Sequence, residues 1–138
     1  MTQEEKERLL LKDLCARLPY GVIIEHEGDL SRLDTIFMCD SISISSTSIN
    51  KNLSYNLDLD EVKPYLFPLS SMTEEQKREY NRWKHEVPVC HYEYGDVVEE
   101  IELFDSPESF EYLIENHFDY YGLIPLGLAL DATGLEIY

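Results

Sequence analysis

Basic residues run out at Lys84. All 11 Lys and Arg lie at or before that position, against 28 Asp and Glu spread through the chain, and the net charge is −17. A field of that sign disfavours direct binding to a phosphate backbone, where Lys and Arg must displace counterions. It equally disfavours adhesion to an anionic membrane surface. Cysteine is scarce too. Cys15, Cys39 and Cys90 are far apart and form no C-x-x-C pair, which argues against a disulfide framework and for reduced thiols. No apolar run is long enough to span a bilayer. The opening Met1-Thr2-Gln3-Glu4-Glu5-Lys6 is acidic-polar with no hydrophobic region behind it, so a cytoplasmic setting is expected. The G-x-S-x-G elbow, the G-x-G-x-x-G turn and the phosphate-cradling P-loop are all missing.

What is present suits a folded domain. The 138 residues can enclose a core, and a hydrophobic fraction of 43% is ordinary, so one domain over 1–138 is expected and wholesale disorder is not. The most apolar stretch runs from His117 to Leu130, with aromatics, two glycines and a proline. That mix suits a buried, irregular backbone path around which other elements close.

Thr2-x-x-Glu5 is a capping box, and Leu10, Leu11, Leu14, Cys15 and Leu18 share one helical face, predicting a helix over about 3–18 with a buried Cys15. Glu4–Arg8 and Asp13–Arg17 are four-apart ion pairs on it. Val22–Ile24, Thr35–Cys39 and Ile42–Ile44 read as strands, with a turn at Glu27-Gly28-Asp29 and a loop over Ser45–Asn52. Leu53, Tyr55, Leu57 and Leu59 alternate with polar residues, predicting a strand with one wet face. Glu61–Leu66 reads as a short helical turn limited by Pro64. Overlapping capping boxes at Ser71 and Thr73 start a helix over about 73–85. Val87–Phe104 reads as a hairpin with an exposed acidic face, turning at Gly95-Asp96. Ser106-Pro107-Glu108 starts a helix over about 107–117. The fold class expected is α+β, a small antiparallel sheet built mainly from residues 22–59 packed with three helices.

Chemistry-bearing constellations are thin. His85, Cys90 and His91, with His117 and Asp119, could be assembled into a metal site, but no pair has tight ligand spacing. No metal or cofactor is therefore expected. His117 lies on the apolar stripe of its helix and reads as a core or capping histidine. A small hydrolase or nucleotide-binding enzyme using Cys90 or His117 is the alternative reading, which would need one of them beside an oriented base. The acids Glu93, Asp96, Glu99, Glu100, Glu102, Asp105, Glu108 and Glu111 fall in one short span without a basic residue. Gathered on one surface, they would attract a basic protein partner, including a nucleic-acid-binding protein whose DNA site they imitate. The bland reading is a solvated face.

Three blocks carry a resemblance. They are Val62-Lys63-Pro64-Tyr65-Leu66-Phe67-Pro68-Leu69-Ser70-Ser71-Met72-Thr73-Glu74-Glu75, the opening Met1–Lys6 followed by Leu10–Val22, and His117-Phe118-Asp119-Tyr120-Tyr121-Gly122-Leu123-Ile124 with Gly127-Leu128-Ala129-Leu130-Asp131-Ala132. The chain resembles an uncharacterised family of small acidic proteins from gut Bacteroides, their mobile elements and phages. The resemblance implies a bacterial or phage cytoplasmic setting and no catalytic activity. It would place a basic residue at Phe67 and another at Tyr121, so an anion-binding role is not carried over to either. The function expected is a non-enzymatic interaction protein that touches neither nucleic acid nor membrane directly.

Overall fold

Helix α1 (Gln3–Arg17) opens on the Thr2 box. In the computed structural model, which describes residues 1–138, the Glu5 amide donates to Thr2 Oγ1 at 3.2 Å and the Thr2 amide to Glu5 Oε2 at 3.1 Å. Two donors that a helix start leaves without partners are thereby satisfied. The buried face carries Leu10, Asp13, Leu14 and Arg17, at the i, i+3, i+4, i+7 spacing of one helical stripe. Cys15 is exposed, which corrects the expectation of a buried thiol. The stripe that sinks includes an ion pair, which a hydropathy pattern does not count, so the helix turns Cys15 out to the rim.

Two compact units make up the chain, one from 1–71 with 114–138 and one from 72–113. The first holds β1 (Ile23–His26), β2 (Asp29–Met38), β3 (Ile42–Ser48), β4 (Ser54–Asp58) and β5 (Lys63–Leu66). The turn between β1 and β2 takes positive φ at both Glu27 and Gly28, 47° and 82°, the backbone that a tight two-residue hairpin demands. β3 runs through part of the stretch read as a loop from its serines. Its core-facing row is Ile44, Ser46 and Ser48, all buried. Ser31 Oγ donates to Ser46 Oγ at 3.0 Å, and Ser48 Oγ and the Tyr55 hydroxyl donate to Asp29 Oδ2 at 2.9 and 2.6 Å. Those cross-strand bonds replace the water that serine otherwise requires. β5 also corrects the sequence reading, because the 3₁₀ turn is Leu59–Glu61 and the chain is extended from Lys63. Pro64 is tolerated in that strand because its parallel neighbour reaches only Tyr65 and Leu66, so its missing N–H breaks no bond there.

The unit 72–113 begins with α2 (Glu74–Arg82), capped by Thr73 and Gln76. It continues into β6 (His85–Glu93) and β7 (Asp96–Phe104), which form a separate two-stranded sheet. The helix expected to reach His85 stops at Arg82, and the hairpin turns at Tyr94-Gly95, φ 51° and 86°, one residue earlier than read from the sequence. α3 (Pro107–Glu115) begins in this unit. The Ser109 amide donates to Ser106 Oγ at 3.0 Å and the Ser106 amide to Ser109 Oγ at 2.8 Å, a reciprocal box with Ser in the place usually held by Glu or Gln.

The irregular stretch after α3 closes the first unit. The Phe67 amide donates to the His117 carbonyl and the Asp119 amide to the Phe67 carbonyl, both at 2.8 Å. The buried Asp119 carboxylate then accepts from the Leu123 and Ile124 amides at 2.7 and 3.0 Å, holding a turn that has no helix to satisfy it. β8 (Leu130–Asp131) runs parallel to β5. The six strands lie in the order β4-β3-β2-β1-β5-β8. Leu14, Val22, Ile24, Ile44, Leu66 and Leu123 belong to one buried cluster. None of the three helices is long and apolar enough to cross a membrane.

Candidate functional site

The acidic hairpin has two unlike faces. Residues paired across an antiparallel ladder share a face, and neighbours along a strand alternate. The register pairs His85 with Phe104, Val87 with Glu102, Val89 with Glu100, His91 with Val98 and Glu93 with Asp96. Those residues share one face, so four of the expected carboxylates, Glu93, Asp96, Glu100 and Glu102, stand together. The other face carries Glu86 with Leu103, Pro88 with Ile101, Cys90 with Glu99 and Tyr92 with Val97. Glu99 is thus separated from Glu100 and Glu102 and stands in an apolar row. His91 Nε2 lies 3.9 Å from Glu93 Oε2, and no Lys or Arg stands on the acidic face.

The remaining acids are not on the hairpin. Asp105 is engaged, accepting from the Tyr80 hydroxyl at 2.5 Å and from Ser109 Oγ at 3.0 Å. Glu108 and Glu111 are exposed on α3. The eight acids singled out from the sequence therefore resolve into a face of four, one on the opposite face, one tied internally and two on a helix.

Cys90 and His91 are adjacent in sequence and point to opposite faces of the hairpin. Cys90 faces Glu99 across the ladder, with no imidazole on its side. His85 and His91 share a face but stand six residues apart, about 20 Å along a strand. The three cannot ligate one ion. The one close group of potential ligands is Asp58, Asp60 and Glu61, all exposed, with oxygens within 4.8 Å of one another. Glu61 Oε1 there accepts from the Asp58 amide at 3.3 Å and Glu61 Oε2 lies 3.4 Å from His26 Nε2, so capping accounts for the grouping.

His117 occupies a left-handed position, φ 64°, just past α3. Its ring stacks on Tyr138 at 3.7 Å, and its Nδ1 is buried without a partner. Burial, then the nearby Arg17 cation, pushes its pKa down to about 4, leaving the imidazole neutral near pH 7. Arg17 is itself fully buried. It donates to both Asp13 carboxylate oxygens at 2.7 and 3.1 Å and to the Phe118 carbonyl at 2.5 Å. Burial raises the Asp13 carboxyl above its ordinary value against the opposing pull of Arg17. Phe67 packs between Phe118 and Tyr138, with ring centroids at 6.2 and 5.8 Å, and Lys12 Nζ lies 5.2 Å from the Tyr121 ring centroid. Both positions where the resemblance would place a base are thus aromatic packing. This region is a structural keystone that periodicity did not disclose, apart from the Asp13–Arg17 spacing.

No family model matches the chain, and no curated protein or solved structure matches it either.

Proposed function

We propose that this is a non-enzymatic interaction protein of bacterial mobile-element or phage origin whose acidic hairpin binds a basic protein partner, without touching nucleic acid directly. The observation that carries the reading is a two-stranded sheet with four carboxylates on one face, almost wholly exposed on both faces and lying beyond the last basic residue of the chain. The buried His117 nitrogen and the divergent Cys90 and His91 favour binding over bond-making chemistry.

The test begins with a pull-down from a Bacteroides host and continues with association kinetics on the recovered protein. Association steered by this face slows steeply between about 50 and 300 mM salt. Glu100→Lys with Glu102→Lys, both on the acidic face, weakens binding without unfolding the protein, whereas Glu99→Lys has the smaller effect. Indifference to salt and to the double reversal would put the partner site elsewhere.

A further inference from the structure

A hairpin of two strands is marginal in water unless something covers it. This one leaves Tyr92, Val97 and Ile101 exposed at 81%, 63% and 69%, all on the face opposite the four carboxylates. Resting on the proposed function, we infer that the outer edge of β7 receives an added strand from the basic partner, an extended segment that alternates Lys or Arg with apolar residues.

The edge is selected by proline. Tyr94-Gly95 is a two-residue turn, so the flanking pair Glu93–Asp96 exchanges both backbone bonds, and bonded and non-bonded pairs alternate from there. Pro88–Ile101 falls at a non-bonded pair. Pro88 therefore removes an outward donor from the β6 edge and blunts it. β7 contains no proline. Its outward N–H and C=O groups belong to Val97, Glu99, Ile101 and Leu103, and the sheet ends there.

The occupant is selected by charge. A strand added beside β7 continues both faces, meeting the carboxylates Asp96, Glu100 and Glu102 on one and, Glu99 apart, the apolar Val97, Ile101 and Leu103 on the other. A second copy of β7 would set carboxylates beside carboxylates, and like charges across a ladder repel. A wholly apolar strand would cover the acids without neutralising them. A strand with basic residues at every second position answers both faces, in the manner of strand-addition recognition.

The experiment uses the full chain and a blocked synthetic peptide of alternating Lys and Val, about as long as β7, titrated by calorimetry. Its control has the same composition with the lysines in one block and the valines in another. The alternating peptide binds about tenfold or more tightly than the block peptide. In the complex, the Val97, Glu99, Ile101 and Leu103 amides exchange with deuterium about tenfold or more slowly, and the outward amides of β6 do not change. Ile101→Pro, which deletes one outward donor, abolishes the preference, while Ile101→Ala keeps it. Equal binding of the two peptides with unprotected β7 amides overturns strand addition and leaves the acidic surface standing as an electrostatic site. Protection on β6 instead overturns the choice of edge. Binding by neither peptide overturns both this inference and the proposed function.

Discussion

Arg17 joins two parts of the first unit through one guanidinium: its own helix, at the Asp13 carboxylate, and the chain at Phe118. Removing it strands a buried charge, so Arg17→Met is expected to destabilise by about 3–5 kcal/mol in urea unfolding. Adding Asp13→Leu to that variant recovers part of the loss and not all, because the Phe118 carbonyl still lacks its donor. Equal destabilisation by the single and double variants would show that the pair's charge is not what matters. His117 makes a second prediction at this scale. Its pKa falls from 6.5 to about 4 on folding, so between those values the unfolded chain takes up a proton that the folded chain refuses. The sign follows: this residue's contribution to stability is present above about pH 6.5 and is lost as pH falls toward 4. His117→Asn, which tolerates the left-handed backbone, should flatten that part of the melting-temperature profile relative to the parent, whatever constant offset the lost ring stack adds. Parallel profiles for parent and variant would overturn the assignment.

Among the elements, β1 and β5 meet at a seam closed by a side chain. The Tyr138 hydroxyl accepts from the Ile23 amide at 2.9 Å and donates to the Tyr65 carbonyl at 2.7 Å, standing in for a ladder bond between the strands. The residue is 43% exposed overall, but burial at its hydroxyl end pushes the phenol well above its ordinary pKa. Tyr138→Phe keeps the ring on His117 and removes the bridge, so a loss of about 1–2 kcal/mol is expected, with faster amide exchange at Ile23. An unchanged Ile23 amide would mean the seam holds without it. Elements with local signals were legible from the sequence. The Thr2 and Thr73 boxes, the Glu27-Gly28 turn and the alternation around Tyr55–Leu57 all act between near neighbours. β5 and the second half of β3 were not, because a proline and a run of serines argue locally against strand. What overrides them lies far along the chain: Leu130 and Asp131 beside β5, Ser31 and Asp29 beside β3.

At the scale of the molecule, a net charge of −17 repels itself in the folded state more than in the expanded chain. Raising NaCl from about 10 to 200 mM shortens the screening length from roughly 30 to 7 Å, and the melting temperature is expected to rise. A flat or falling curve would mean that attractive surface pairs such as Arg8–Glu4 and Arg82–Glu79 outweigh the repulsion. The division into units carries no compositional mark. At 71/72 there is only the pair Ser70-Ser71, too short to read as a linker, and the junction at 113/114 falls inside α3.

The sequence by itself determined the class of fold, the Thr2 and Thr73 caps, the Glu27-Gly28 turn, and the acidic hairpin with its lack of basic residues, because the signals that mark them lie between near neighbours. Tertiary structure alone decided which stripe of α1 sinks. Two charged residues can enter a core only when a distant carbonyl, here Phe118, completes their bonding. The tertiary fold likewise decided that Asp105 is withdrawn from the acidic group, because the distant Tyr80 hydroxyl donates to its carboxylate. Alternation along β7 by itself puts Glu99 opposite Glu100 and Glu102, but which residues of β6 join each face depends on the pairing that starts at the Tyr94-Gly95 turn.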